Sequence, residues 1–309
     1  LAYLGEYLLF VAETITIVAA VFALVVLTAR ALRQSREDGA RLQIRHLNPR
    51  YRQLATRIEA ASLPKRELKR LLPHRGRQER KARRVFVIRF TGDLRASAVR
   101  SLREEVTAIL STRQEGDSVV VCLESLGGVV ASYGLAASQL TRLRDNGLPL
   151  TVCVDRVAAS GGYMMAAVAD HPVAAPFAIV GSIGVVAQLP NFHRLLKQHN
   201  IDFEQFQAGA YKRTVTLFGE TSDEDRRKLQ SQVDETFELF QSFLIRYRPR
   251  LDLQRVATGE YWYGSRAEEL GLIDEIGTSD DHLLALSREA ELYELNYRLP
   301  PQRRRWLFR

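Results

Sequence analysis

One serine in this chain stands where a hydroxyl can do chemistry. Ser160 lies in VDRVAASGGYMMAAVAD (Val154 to Asp170), between two alanines and two glycines, where an apolar strand gives way to a small-residue helix. A serine attacks a carbonyl only when a base takes its proton and N–H donors receive the oxyanion that forms. Donors are at hand. Gly161 opens the helix, where backbone amides lack intrahelical acceptors. Gly127 or Gly128, in the earlier turn ESLGGVV, can supply the second N–H. Turns without side chains also let a peptide lie against the backbone as an added strand. The competing reading of Ser160 is a helix N-cap, a common post for serine.

The residues alone leave the base open. The six histidines are His46, His74, His171, His193, His199 and His282, and none sits in a setting that suggests a triad, although spacing does not exclude one. A lysine is a base near neutral pH only when desolvation lowers its pKa by several units. Lys212, in FQAGAYKRTVTLFGE, lies among small and aromatic residues and not on a charged helix face, which fits partial burial. The plain alternative is a surface lysine.

The elements around these residues alternate. VFVIRF from Val85 is a short strand, and SAVRSLREEVTAILS is an amphipathic helix with Val99, Leu102, Val106, Ile109 and Leu110 on one side. SVVVCLE and LPLTVCVD are continuous apolar strands, as expected where both faces of a sheet are covered. Between them VVASYGLAASQLTRLRDNG is a helix closed by Gly147. A helix over about 224–248 turns Leu229, Val233, Phe237, Phe240 and Leu244 inward, and SRAEELGLIDEIG gives a helix, a Gly271 cap and a last strand. This order predicts an α/β fold with mostly parallel pairing. Both glycine turns follow buried strands, so they meet at one crevice. No phosphate-binding glycine loop follows any strand, which argues against a nucleotide fold.

Among the remaining side chains, Asp155 reads as a strand-end carboxylate paired with Arg156 or Arg213, and Met164 and Met165 as core. Trp262 and the tyrosines of EYWYG also read as core. Cys122 and Cys153 sit in apolar runs as buried thiols, without metal or redox spacing.

The 309 residues carry a net charge of +8, unevenly spread. Residues 30–84 hold 18 Lys/Arg against 5 Asp/Glu, a net +13, so the other 254 residues sum to −5. Basicity belongs to one segment, no aromatic residues interleave with it, and nucleic-acid binding is not indicated. That segment could instead touch anionic lipid headgroups. Before it, Tyr7 to Ala29 is a run of 23 residues with one charge, Glu13. About 20 apolar residues span a bilayer as a helix. The start LAYLGE lacks the basic residues of a cleavable signal, so the run reads as a retained anchor. Arg30, Arg33, Arg36, Arg41 and Arg45 follow it, which by the positive-inside rule places that flank in the cytoplasm. The helical stretch PRYRQLATRIEAAS, with Leu54, Ile58 and Ala61 on one face, is punctuated afterwards by Pro64 and Pro73.

VDRVAASGGYMMA, APFAIVGSIGVV, AGAYKRTVTLFGE and ATGEYWYG, in that order, closely resemble the signal peptide peptidase A family of serine peptidases, in its SohB branch. The resemblance runs over about residues 85–290 and implies an α/β fold of ClpP/crotonase-like repeated β-β-α units. It implies a serine–lysine dyad, with Ser160 as nucleophile and Lys212, 52 residues on, as general base. Ser182 in GSIGV matches the family's second serine, which orients the lysine. Gly127, Gly128 and Gly161 are then the oxyanion hole, with no metal and no cofactor. The family places proline before the glycine pair; here Leu126 stands instead, without proline's fixed φ.

The expected organisation is a flank at 1–6, a transmembrane helix at 7–29, a basic and partly helical neck at 30–84, a serine peptidase domain at 85–290 and a basic tail at 291–309. The implied function is a membrane-anchored serine endopeptidase acting on signal peptide remnants or other membrane-derived or misfolded peptides. Implied partners are peptide substrates, membrane lipid and further copies of the chain in a ring. The family implies a bacterial inner membrane with the domain in the periplasm, against the cytoplasmic side given by the arginines. Two rivals keep the fold: a crotonase-like enzyme acting on acyl-thioesters, and a non-catalytic membrane scaffold.

Overall fold

The computed structural model describes residues 16, 18–22, 25–26, 41–62 and 83–299. The flank 1–6, Glu13, Arg30 to Arg36, Pro64, Pro73 and residues from 300 on lie outside them, as does most of the 7–29 run, whose described residues are helical. Among the described residues no helix is long and apolar enough to cross a membrane. One compact unit, Ile44–Asn296, holds the whole candidate site; a second comprises Leu1–Gln43 and Tyr297–Arg309.

Ten strands form one sheet. They are β1 (Arg41–His46), β2 (Arg84–Gly92), β3 (Ser118–Ser125), β4 (Leu150–Val154), β5 (Val157–Ala159), β6 (His171–Ala174), β7 (Ile179–Gly181), β8 (Tyr261–Tyr263), β9 (Glu275–Ile276) and β10 (Glu291–Arg298). The main path runs β1-β10-β2-β3-β4-β6-β9, and a branch leaves β3 as β5-β7-β8. Pairing is parallel from β10 through β9 and along β3-β5-β7, while β7 and β8 are antiparallel. Parallel strands buried on both faces need continuous apolar runs. In β3 every residue but the half-buried Glu124 is indeed buried.

The helices are α1 (Asn48–Ser62), α2 (Val99–Thr112), α3 (Val130–Asp145), α4 (Gly161–Ala166), α5 (His193–Gln198), α6 (Asp223–Tyr247), α7 (Leu253–Val256), α8 (Gly264–Glu269) and α9 (Ser279–Glu289). As read from the periodicity, α2 buries Val99, Leu102, Val106 and Ile109, with Leu110 half-buried. In α3 the buried residues include Tyr133, Ala136, Ala137, Leu140 and Leu143. Successive β4–β5–α4 and β6–β7–α5 are ββα repeats, and their second strands build the branch.

Several expectations need correcting. The last strand is not the one after Gly271: ELYELNYR, assigned to a basic tail from 291, forms β10 between β1 and β2. Its charges suggest a tail, but the sheet satisfies them. Arg89 Nε donates to Glu294 at 2.5 Å, and Glu291 is buried against His46 at 2.5 Å. The segment 30–84 likewise contributes β1 and α1 to the fold. In α1 the inward residues are Asn48 and Tyr51, while Leu54 and Ile58 are exposed. Asn48 Nδ2 donates to Ala290 O at 2.8 Å, and Asn48 Oδ1 accepts from Leu292 N–H at 2.8 Å. A polar side chain, not an apolar stripe, docks that helix.

Asp155 pairs with neither arginine. It accepts from Ser279 N–H at 2.7 Å and Ser279 Oγ at 2.5 Å at the start of α9, while Arg156 pairs with Glu124 at 2.9 Å. Met164 and Met165 are buried as expected, as are both thiols, which lie in register on β3 and β4 and whose pKa values burial pushes up. Tyr261 and Tyr263 are exposed on the edge strand β8 and only Trp262 is half-buried, because alternation along a strand sends neighbours to opposite faces. In α6 only Phe240 and Leu244 are buried; Leu229, Val233 and Phe237 are half-covered.

Candidate active site

The branch of the sheet presents the two serines together. β5 and β7 run parallel with Ala159 opposite Gly181, so Ser160 and Ser182 follow at matched strand ends. Both have positive φ, 51° at Ser160 and 49° at Ser182. Side chains adopt that region at a cost of about 1–3 kcal/mol, so surrounding structure must hold it. Here the holding groups are carbonyls: Ser160 N–H donates to Gly181 O at 2.8 Å and Ser182 N–H donates to Glu260 O at 2.7 Å. Ser160 also precedes α4 as its N-cap residue, yet its side chain makes no cap hydrogen bond. The N-cap reading therefore does not account for the hydroxyl of this half-exposed residue.

The ESLGG turn closes over the same point. A Cβ added at Gly127 would fall 2.7 Å from Ala159 O, 2.8 Å from Gly161 N and 2.8 Å from Ser160 Cβ. Real Cβ atoms do not approach that closely, and Gly127 also has φ +85°. The two glycine turns thus meet, as their positions after neighbouring strands require. The three expected donors are not equivalent. Gly127 N–H is taken, donating to Ser125 Oγ at 3.0 Å. Gly161 N–H is the first of α4 and has no intrahelical acceptor. Gly128 packs against the Leu94 backbone, whose carbonyl accepts from Val129 N–H at 2.8 Å.

Lys212 is placed differently. It lies between α5 and α6 in a stretch without strand or helix, its N–H donating to Gly209 O at 3.1 Å. Its side chain is exposed, so the partial burial expected from the sequence is not found in the single chain. The aromatic neighbour explains the misreading. Tyr211 turns to α6, its hydroxyl donating to Glu224 at 3.1 Å and its ring lying 5.2 Å from Lys228 Nζ, and so covers nothing at 212. The structure brings together Ser160, Ser182, Gly127, Gly128 and Gly161; among the described contacts none joins Lys212 to them.

Sequence reasoning missed the groups behind the turn. Tyr133 is fully buried, and its hydroxyl donates to Asp93 O at 2.7 Å and lies 2.6 Å from Ser125 Oγ. In the sequence it is one more apolar residue of α3. The signal available was the serine two places before Gly127, at the end of a strand that otherwise has no need of a hydroxyl.

An uncapped serine hydroxyl on a strained strand end, where two glycine turns bring backbone amides together, fits a serine-type hydrolase. The comparisons narrow this. Residues 142–293 match peptidase family S49, and residues 2–140 match the peptidase family S49 N-terminal region. The "Probable protease SohB" of Haemophilus influenzae is 42% identical over 315 residues, covering 96% of this chain and 89% of that protein. The "Probable protease SohB" of Buchnera aphidicola subsp. Acyrthosiphon pisum is 53% identical over 215 residues, covering 70% of this chain and 64% of that protein. The chain belongs to peptidase family S49, and it is a protease of the serine type. A solved ClpP protease catalytic domain from Plasmodium falciparum superposes with a TM-score of 0.41 at 10% identity, covering 62% of this chain and 85% of that one. That likeness is too distant to bear on function.

Proposed function

We propose that this protein is an endopeptidase working through a Ser160–Lys212 dyad. The observation that carries the reading is Ser160 itself: a positive-φ serine whose hydroxyl caps nothing and whose flank is a free helix-start amide. In the reaction Ser160 Oγ attacks the peptide carbonyl carbon while the neutral Lys212 amine takes the hydroxyl proton. Gly161 and Gly128 N–H receive the oxyanion. As the tetrahedral intermediate collapses the C–N bond breaks, and Lys212 returns the proton to the leaving amine. Water then attacks the acyl-enzyme carbonyl, Lys212 again taking a proton; as this intermediate collapses the C–Oγ bond breaks, Lys212 returns the proton to Ser160 Oγ, and the acid product leaves. Ser182, on the strand end beside Ser160, orients the lysine amine. Crotonase chemistry on thioesters has no use for a nucleophilic serine, and the acyl-thioester and scaffold readings find no such support.

Lys212 needs a cover that the single chain lacks, and we propose that a second copy supplies it. Supporting this, the stretch from 185 to 222 exposes apolar side chains, with Phe206 91% exposed and Val186 77% exposed, and α6 carries its half-covered stripe beside it. A ring of copies would bury both. The test is made on the full chain with a fluorogenic peptide and a fluorophosphonate probe. Peptide is cleaved, the probe maps to Ser160, and specific activity falls on dilution together with the oligomer. Labelling elsewhere, or none, overturns the dyad; constant activity down to single copies overturns the shared site.

We further propose that residues 7–29 anchor the chain in a bacterial inner membrane, on the strength of that apolar run and its flanking arginines. The natural substrates would be peptides released at that membrane, signal peptide remnants among them. The chain is expected to stay with the membrane fraction through an alkaline carbonate wash that strips peripheral proteins. Its release by that wash would remove the anchor from the reading.

A further inference from the structure

We propose that Tyr133 is the positioning residue of the oxyanion site, setting both glycine turns at once through its hydroxyl and its ring. The inference rests on the assignment of Ser160 as nucleophile and adds a residue that touches neither substrate nor the reacting atoms.

The hydroxyl end is a relay. Tyr133 has one proton, and it goes to Asp93 O at 2.7 Å. The contact between Tyr133 OH and Ser125 Oγ at 2.6 Å therefore has Ser125 as donor. Ser125 Oγ in turn accepts from Gly127 N–H at 3.0 Å. The order Gly127 N–H to Ser125 to Tyr133 to Asp93 O has one direction, and each bond strengthens the next in a buried setting. Burial also pushes the Tyr133 phenol above its ordinary pKa, which keeps the proton on it. With Gly127 N–H tied down from below, Gly128 N–H is the amide left to face the substrate carbonyl.

The ring end supports the other donor. A Cβ added at Gly161 would overlap Tyr133 Cγ and lie 2.6 Å from Tyr133 Cβ, so this amide rests directly on the tyrosine. One at Gly92 would overlap the Tyr133 hydroxyl and sit 2.5 Å from Ser125 Oγ. Backbone thus closes on this side chain from the Ser160 turn and from the end of β2, while the ESLGG turn reaches it through Ser125.

The relay also answers how the turn keeps its shape without proline. Leu126 is 73% exposed, so its side chain packs on nothing that could fix the turn from above. The shape is imposed from beneath.

The experiment uses Tyr133→Phe, Ser125→Ala and the double variant in the full chain. Each keeps its fold by circular dichroism and its fluorophosphonate site at Ser160. For Tyr133→Phe, kcat is expected to fall about 10- to 100-fold with KM within about two-fold, since a displaced donor acts on the transition state. A peptide aldehyde, whose adduct with Ser160 carries the oxyanion, should bind more weakly by a similar factor. A non-cleavable peptide amide should bind as it does to the unchanged protein. Because the two hydroxyls act in series, the double variant should be no worse than the poorer single one. Unchanged kcat and aldehyde affinity in Tyr133→Phe would overturn the inference, as would losses that multiply in the double variant. Should Tyr133→Phe fail to fold, Ser125→Ala decides by the same readings. If the unsubstituted protein neither cleaves peptide nor takes the probe at Ser160, the dyad itself has failed, a result distinct from a working enzyme indifferent to Tyr133→Phe.

Discussion

Replacing Ser160 by alanine is expected to remove peptide hydrolysis almost entirely, by about four orders of magnitude or more, because removing the nucleophile of such a unit leaves only binding and the oxyanion donors. Lys212→Ala should cost nearly as much. The double variant should be no worse than either alone, since the two groups serve one proton transfer. The fold should survive in all three. Ser160→Gly separates chemistry from strain. Glycine accepts the φ of 51° without steric cost, so this variant should be as inactive as alanine yet more stable by about 1 kcal/mol. A denaturant midpoint that rises while activity vanishes is the combined signature. Residual cleavage above about one per cent in Ser160→Ala, with contaminating proteases excluded by the probe, would mean that another group attacks the carbonyl.

Gly161→Ala is the second large effect, and it reaches the site through packing. Its added methyl would enter the ring of a tyrosine that is fully buried, with no flexible side-chain end to yield. Overpacking of this kind costs about 1–3 kcal/mol and sometimes more. Shifting the amide by even part of an ångström should lower kcat by about 10²–10³, as loss of an oxyanion donor does. Gly134→Ala provides the contrast. It lies next to Tyr133 in α3, nothing stands within 4 Å of its added Cβ, and alanine favours a helix by up to about 1 kcal/mol. Thermal unfolding with peptide turnover should show the first variant falling in both measures and the second in neither. Equal behaviour would mean that the close approach of Gly161 to Tyr133 has no mechanical consequence.

The elements most legible in the sequence were those whose pattern and environment agree. The runs SVVVCLE and LPLTVCVD are apolar because both faces of β3 and β4 are covered, and α2, before them, carries one clear buried face. From those strands the meeting of the two glycine turns at Ser160 followed. Three-residue strands such as β5, β7 and β8 leave almost no periodic trace, although the two serines directly follow β5 and β7. The strand β10 was hidden by Glu291 and Glu294, whose partners, His46 and Arg89, lie hundreds of residues away in the chain. Asp155 was misassigned for the same reason: its partner, Ser279, is 124 residues on, and spacing holds no record of it. Tyr133 could not be told from core packing, because a buried phenol and a buried phenylalanine look alike until their neighbours are known. Lys212 was expected under cover because its neighbours are aromatic, but composition does not say which way a neighbour turns.

The unequal mounting of the two groups has one further consequence. The hydroxyl hangs from hydrogen-bonded strands, whereas the amine sits on a stretch with no ladder to hold it. On the proposed dyad and its proposed cover by a second copy, a freshly made solitary copy resembles a zymogen. Latency then comes from solitude, and proteolytic power arrives only where copies gather, so the cell would restrain this protease by how densely it is placed.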